Sequence, residues 1–223
     1  FEGINLRAAQ LEQVLSHPQY RRHGLIKILI RRFVQDVAER QCDLSFIWGI
    51  PYYYRQYGYT YAVEGNSYES LPAWRIPDAP SGEALVYQLR KATLADLATL
   101  TRLYANAMRH LTLSIDRNEA YWHYLLEYAG LPVDVVEDTV TGNAVGYIAK
   151  IANPDGSGLN IIEHALEDQA AAFAVLRMLK AQTGEEIQVA WPRQSMLVQL
   201  ARSLGSLPVV VGQWLFHITH PAR

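Results

Sequence analysis

Apolar and polar positions alternate through residues 11–15, LEQVL, the period of a half-buried strand. From Leu25 the period changes. Leu25, Ile28, Leu29, Phe33, Val34 and Val37 recur at helical spacing, with Arg31, Arg32, Gln35 and Asp36 outside the stripe, which predicts a helix over 25–40. Residues 44–48 are a short apolar run, read as a strand. Residues 51–57 read as a short helix, with Pro51 in a tolerated first-turn place and Gly58 closing it. Residues 61–71 read as strand with a turn at Gly65 and Asn66. The pattern then fails across 75–84, RIPDAPSGEA, whose proline, glycine and acid content marks a linker.

Beyond the linker the alternation of elements starts again. A strand is expected at 86–90, then a helix at 94–110 with Thr93 as its N-cap, then a helix at 118–128. Strands at 133–138 and 144–152 meet at a turn of Thr141, Gly142 and Asn143. A strand at 159–165, a helix at 168–182 stopped by Gly184, a strand at 186–190, a helix at 195–204 closed by Gly205 and a strand at 209–218 complete the chain. The expectation is an α/β fold with mixed sheets (α+β), divided into residues 1–75, a linker at 76–84, and residues 85–223.

Composition narrows the function classes. The chain has 223 residues, 50% of them hydrophobic and 19% charged, with net charge -2, which suits a protein with real cores and argues against nucleic acid as a partner held by bulk charge. Cys42 is the one cysteine, so neither an internal disulfide nor a cysteine zinc site can form, and no metal is expected. No apolar run approaches the roughly 20 residues of a membrane helix, and no secretory signal pattern opens the chain. The expectation is a cytoplasmic protein with no membrane partner.

The segment SHPQYRRHGLI, residues 16–26, carries the candidate chemistry. It joins the expected strand 11–15 to the helix that starts at Leu25. The first N–H groups of a helix have no partner within it, and its dipole favours negative charge there. Gly24 lets backbone approach a ligand, while Arg21, Arg22 and His23 add donors and positive charge. The segment therefore reads as a pyrophosphate loop. No Lys-Ser or Lys-Thr follows Gly24, which sets aside the P-loop, and Gly24 stands alone, which sets aside the three-glycine dinucleotide fingerprint.

The remaining pattern, R-x-x-G-x-x after a strand, resembles the acetyl-CoA loop of the GNAT acetyltransferases, [Q/R]-x-x-G-x-[G/A]. Arg21 and Gly24 match it, and Ile26 departs from the last position. Downstream, IWGIPYYYRQYGYTYAV (47–63) resembles the family's F-Y-x-x-x-G-[F/Y] segment, with Tyr53, Tyr54, Tyr57, Gly58 and Tyr59 in that signature. The element order after the linker is similar to a whole GNAT domain, whereas the strands and helices that precede the loop in a GNAT domain are absent from 1–75. The first domain is thus expected to be incomplete at its N-terminus. Where the second domain should hold its phosphate loop it reads ALEDQAA, acidic and without glycine, as in a degenerate copy. An active and a degenerate GNAT domain in tandem resemble the enhanced-intracellular-survival (Eis) type of aminoglycoside acetyltransferase. That group's third, sterol-carrier-like domain has no counterpart here.

What the resemblance implies is an N-acetyltransferase with acetyl-CoA as cosubstrate. A small amine or a peptide amine would be its other partner. Backbone groups of Val14 and Leu15 would meet the pantetheine and the oxyanion. The stretch Arg21, Arg22, His23, Gly24, Leu25 and Ile26 would hold the pyrophosphate. Tyr54 would give a proton to the leaving thiolate, and Glu12 on the strand is the candidate general base, acting through water. An unpaired edge at the first strand would favour a homo-oligomer or another covering surface. Two other readings stand beside this one: an acyl-CoA-binding module without turnover, and a fragment serving as a structural partner.

Overall fold

The computed structural model describes residues 3–80, 82, 86–153 and 156–219. Residues 81, 83 and 84 of the expected linker lie outside the described residues, as do both ends of the chain. Two compact units are present: Phe1–Asn66 with Val211–Arg223, and Ser67–Val210.

The first unit is built on a four-stranded mixed sheet. Strand β1 (Ala8–Gln10) leads through the loop to helix α1 (Leu25–Glu39), which returns to β2 (Leu44–Ile47), parallel to β1 with Ala8 opposite Leu44. After a 3-10 turn at Tyr53–Tyr57 comes β3 (Thr60–Gly65). The sheet order is β1-β2-β11-β3, where β11 (Gly212–Ile218) lies antiparallel to both neighbours. Its core is small and tyrosine-rich: Ile30, Ile47, Tyr54, Tyr59 and Leu215 are buried together. Helix α1 turns Ile26, Ile30 and Val34 toward that core. Ile28 and Leu29, expected in the buried stripe, are instead 62% and 63% exposed. The buried face runs from Ile26 and Ile30 to Val34 and Val37, so the later half of the expected stripe is buried and its first turn is not.

The second unit has seven strands. Its elements are β4 (Tyr68–Pro72), β5 (Tyr87–Lys91), α2 (Leu97–Met108), α3 (Glu119–Glu127), β6 (Val133–Asp138), β7 (Ala144–Ala152), β8 (Gly158–Leu166), α4 (Gln169–Thr183), β9 (Glu186–Ala190), α5 (Met196–Ser203) and β10 (Leu207–Val209). The order is β10-β4-β9-β8-β7-β6-β5, and only β8 and β9 run parallel. Helices cover both faces. Leu71, Ile148, Ile161 and Ile187 pack with Leu176 of α4 and Leu197 of α5, while Val135, Tyr147 and Ala149 pack with Leu100 of α2 and Trp122 of α3. Adjacent residues of one strand, Tyr147 and Ile148, therefore serve opposite cores, which is why β7 reads as a largely apolar run.

Two expected strands prove to be four. The run 61–71 is β3 and β4, separated by Asn66 in the left-handed region (φ 52°), and the run 209–218 is β10 and β11. In each case the two halves join different sheets. Residues 67–75 consequently lie in the second unit and 211–219 in the first, so the contiguous division at 76–84 does not describe the units. An apolar run states that a strand is buried, not which edge it pairs with.

What draws β4 into the second sheet is visible. Glu69 is fully buried, and its carboxylate accepts from Arg202 Nε at 2.8 Å, Trp191 Nε1 at 3.2 Å and Ser206 Oγ at 2.9 Å. A buried carboxylate is tolerable only when so compensated. Glu69→Ala is expected to destabilise the second unit by about 3 kcal/mol, the low end for a broken buried ion pair, since Arg202 keeps a third of its side chain in water. Urea denaturation followed by tryptophan fluorescence would measure it, and a loss below ~1 kcal/mol would show that β4 is held by its ladder alone.

Candidate functional site

The loop begins where β1 stops. Leu11 N–H still donates to the Phe46 carbonyl at 2.9 Å, but Gln13 has φ 54°, which a ladder residue cannot adopt. Strand 11–15 is therefore replaced by a kink: Leu11 and Val14 pack on the core, while Glu12 and Leu15 point to solvent, Leu15 being 70% exposed. Farther on, His17 Nδ1 accepts the Gln19 N–H at 3.4 Å and caps the turn Pro18–Tyr20. Arg22 (φ 66°) and Gly24 (φ 73°) then take left-handed conformations on either side of His23.

Gly24 is the N-cap of α1. A Cβ at Gly24 would meet nothing within 4 Å, so the space beside the loop is open. The first i→i−4 bond of the helix runs from Ile28 N–H to the Gly24 carbonyl at 3.2 Å, so the N–H groups of residues 24–27 come before it. No acidic residue lies in the first turn, and Arg21, Arg22 and His23 are exposed just ahead of it. Positive helix end, open backbone and basic flank together fit a pyrophosphate.

Ile26 explains itself in three dimensions. Its side chain packs against the buried cluster that holds Tyr54, as does Val14, so a bulky residue here fills the core side of the loop. Tyr54 is 3% exposed. Its ring lies so close under Gly49 that a Cβ there would stand 2.4 Å from two ring carbons. Around it, Tyr53 and Tyr59 make edge contacts with ring centres 5.0 and 6.2 Å away. Tyr59 shares a buried 2.8 Å hydrogen bond with Ser45, and Tyr53 and Tyr57 hydroxyls are 3.4 Å apart.

Burial sets the proton affinities here. Desolvation, then the neighbouring Tyr53, pushes the Tyr54 hydroxyl above its ordinary value. Burial, followed by the hydrogen bond to Tyr53, pushes Tyr57 up to about 12. Both phenols stay protonated throughout the neutral range.

The five described non-glycine residues with positive φ are Gln13, Arg22, Gln41, Tyr52 and Asn66, and all lie in the first unit. Tyr52, at φ 67°, is bulky and strained, and its N–H is fixed by the Tyr61 hydroxyl at 2.8 Å. Such strain concentrates where a structure does more than pack.

Of the expected site residues, Val14, Ile26 and Tyr54 are brought into one cluster. Arg21, Arg22, His23, Gly24 and Leu25 form the exposed loop. Glu12 and Leu15 stand apart from the cluster, and no contact singles out Glu12 as a base. The sequence reading expected a strand at 209–218 but missed that β11 joins the first unit's sheet. His217 on it donates through Nδ1 to the Gly58 carbonyl at 3.2 Å, which holds the end of the tyrosine turn from a position 159 residues away. No local signal could have shown that pairing.

The second unit repeats the frame with opposite chemistry. Strand β8, helix α4 and parallel strand β9 match β1, α1 and β2, and both helices have 15 residues. The turn before α4 is different. The Asp168 carboxylate accepts the Ala171 N–H at 2.6 Å, and Glu167 is paired with Arg102. An intrinsic carboxylate occupies the place where a bound anion would sit.

Residues 1–62 match the acetyltransferase (GNAT) domain. Among solved structures the chain is similar to a probable N-acyltransferase from Enterococcus faecalis V583, at 19% identity and TM-score 0.74, over 98% of this chain and 56% of that one. Eis1 from Mycobacterium abscessus aligns at 18% identity and TM-score 0.60, over 96% and 56%. A tandem GNAT protein from the clavulanic acid biosynthesis pathway aligns at 13% and TM-score 0.60, over 98% and 77%. The chain thus spans little more than half of the first of these. A comparison with curated protein sequences gives no match. The GNAT resemblance holds by sequence over 1–62, and the mixed α/β fold with two sheets is GNAT-like. Among the described residues no helix is long and apolar enough to cross a membrane, and no group of His, Cys, Asp or Glu is placed to hold a metal.

Two measurements test this construction. Gly49→Ala should displace the Tyr54 ring and lower the first unit's melting temperature by several degrees, on the order of 1–3 kcal/mol for an overpacked site. An unchanged melting temperature would mean the ring moves freely. The raised phenols also carry a pH dependence. With folded pKa values above the unfolded value near 10, their stabilisation is complete below pH 10 and declines as pH rises toward 12. Circular dichroism across that window should show the first unit weakening, and Tyr53→Phe should narrow the window by removing Tyr57's hydrogen-bond partner.

Proposed function

We propose that the chain carries the acyl-CoA-binding part of a GNAT-type N-acetyltransferase, which moves an acetyl group from acetyl-CoA to a primary amine by direct attack. The observation that carries this reading is the coincidence of the GNAT match at 1–62 with an open, basic, left-handed loop capping α1 beside the buried Tyr54.

The amides at Arg22 to Ile26 hold the pyrophosphate, and the irregular backbone at Val14 and Leu15, released from the ladder by the Gln13 kink, offers donors to the thioester end. The amine nitrogen bonds to the carbonyl carbon as the carbon–sulfur bond breaks. The thiolate takes the Tyr54 hydroxyl proton, and the amine gives up its own proton to water, with Glu12 as the exposed carboxylate available to accept it. Because burial raises Tyr54, its proton moves uphill to a thiolate whose ordinary pKa is about 8.5. Tyr54 thus acts only as charge develops on sulfur, and does not sit ionised beforehand.

The second unit is a GNAT-like copy that binds no CoA, since Asp168 already caps α4. The acceptor class is a small amine or a peptide amine.

The deciding experiment is acetyl-CoA turnover by the parent protein against aminoglycosides, polyamines and peptide N-termini, read as free thiol. Gly24→Asp should abolish CoA binding in calorimetry by placing a carboxylate against the pyrophosphate. If that variant binds CoA as the wild type does, either the loop assignment is wrong or the second unit is the binder. Tyr54→Phe should lower turnover about 10²-fold with little change in CoA affinity. A loss on Tyr53→Phe instead would move the proton donor by one residue. CoA binding without thiol release from any amine would favour the binding-module reading.

A further inference from the structure

A buried histidine of the second unit has an unused ring nitrogen. His164 on β8 is 5% exposed, and its Nε2–H donates to the Ala190 carbonyl of β9 at 2.9 Å. A proton on Nε2 leaves Nδ1 of the neutral ring as an acceptor. Burial lowers the proton affinity of this imidazole and so favours that neutral form. No donor among the described residues reaches Nδ1. Buried polar atoms normally have a partner, so this one points to a ligand.

His164 lines a cleft of about 630 Å³, within the usual range for small-molecule sites. The cleft lies at the carboxyl ends of β8 and β9, beyond their last paired residues, Ile161 and Val189, where parting parallel strands commonly admit a ligand. Donors stand around it. Arg109 is exposed on the wall and has no carboxylate partner. Its Nε donates to His110 Nε2 at 2.9 Å, and its two terminal nitrogens find no acceptor among the described residues. Helix α5 begins at the same place. Its first i→i−4 bond joins the Gln199 N–H to the Ser195 carbonyl, and Ser195 Oγ accepts the Val198 N–H at 3.3 Å. The N–H groups of Met196 and Leu197, both in the lining, are left without an acceptor among the described residues, and the Ser195 hydroxyl keeps its proton to donate. Glu167, the one carboxylate in the lining, is already paired with Arg102. A guanidinium, a positive helix end and a hydroxyl donor favour an anion. His164 requires that this anion also carry a donor of its own.

We propose that this cleft binds a small hydroxylated anion, its carboxylate or phosphate held by Arg109, the Ser195 hydroxyl and the first amides of α5, and one of its hydroxyls donating to His164 Nδ1. An acid without a hydroxyl leaves His164 unanswered, and an uncharged polyol leaves Arg109 unanswered. The site belongs wholly to the second unit and needs neither the loop at Gly24 nor acetyl transfer.

The test uses the whole chain and follows the His164 ring nitrogens by long-range proton–nitrogen NMR, with glycerate and glycerol 3-phosphate as probes. At least one probe should shift the Nδ1 resonance saturably, and the tighter of the two tells whether the anionic group is a carboxylate or a phosphate. Removing the charge, with glycerol, or the hydroxyls, with propionate, should weaken binding at least about tenfold, the scale of one hydrogen bond to a charged group. Arg109→Gln, an exposed substitution, should weaken the better probe by a similar factor, and Gly24→Asp should leave it unchanged. No saturable shift with either probe, propionate moving Nδ1 as the hydroxylated acids do, or undiminished binding in Arg109→Gln would each overturn the proposal. Displacement of the probe from Gly24→Asp by CoA would overturn it too, since the cleft would then be a second CoA site.

Discussion

The fold turns on a carboxylate that has no water. Glu69 sits on β4, a strand that follows β3 after a two-residue break, and every oxygen interaction it makes is with the second unit: Arg202 from α5, Trp191 after β9, and Ser206 before β10. Were β4 to continue β3 in the first sheet, that carboxylate would lose all three partners, at a cost of several kcal/mol for a buried ion left uncompensated. The ladder with β9, from Tyr68 opposite Ala190 to Pro72 opposite Glu186, sets the register, and the Glu69 cluster makes that register unique. With β4 and β10 placed on that edge, β11 is left to fill the gap between β2 and β3.

That gap-filling has a consequence for the site. β11 supplies Leu215, which is buried in the same cluster as Tyr54, and His217, which holds the Gly58 carbonyl at the end of the tyrosine turn. The candidate proton donor is therefore positioned by residues from the far end of the chain. Tight packing serves the same purpose locally. Gly49 leaves room for one ring, Tyr54 fills it, and desolvation of that ring raises its proton affinity. Position and acidity thus follow from a single packing arrangement.

Much of this was legible in the sequence because helical periodicity and turn chemistry are local. The helix from Leu25, the Thr93 capping position, the helices ending at Gly184 and Gly205, and the strand pair around Gly142 all stand within two or three residues of where they were expected. The loop at Gly24 was legible for the same reason: a glycine and three basic residues before an apolar helix need no distant information. What failed was non-local or hidden inside the period. LEQVL alternates as a strand would, yet Gln13 turns left-handed, so Leu11 and Val14 face the core three residues apart. Ile28 and Leu29 are as apolar as Ile26 and Ile30, and only the sheet decides which pair is buried. The run at 209–211 is all valine, and composition could not show that it bridges two sheets.

The two β-α-β frames carry the last step. Each places a 15-residue helix between parallel strands and leaves the helix's first N–H groups to be satisfied from outside its own ladder. In the second unit the chain supplies the acceptor itself, through Asp168 at 2.6 Å, and the end is closed to anions. In the first unit the capping position is Gly24, which has no side chain to offer, and the three residues before it are basic. A cap of the Asp168 kind is worth about 1 kcal/mol to a helix. The first unit forgoes that side-chain bond, which with glycine at the cap costs only roughly a few tenths of a kcal/mol, and accepts a left-handed Arg22 besides, at roughly 1–2 kcal/mol. Both departures lie in the one loop ahead of α1, and the glycine cap leaves the helix's first N–H groups without a side-chain acceptor, the arrangement that the proposed pyrophosphate contact uses.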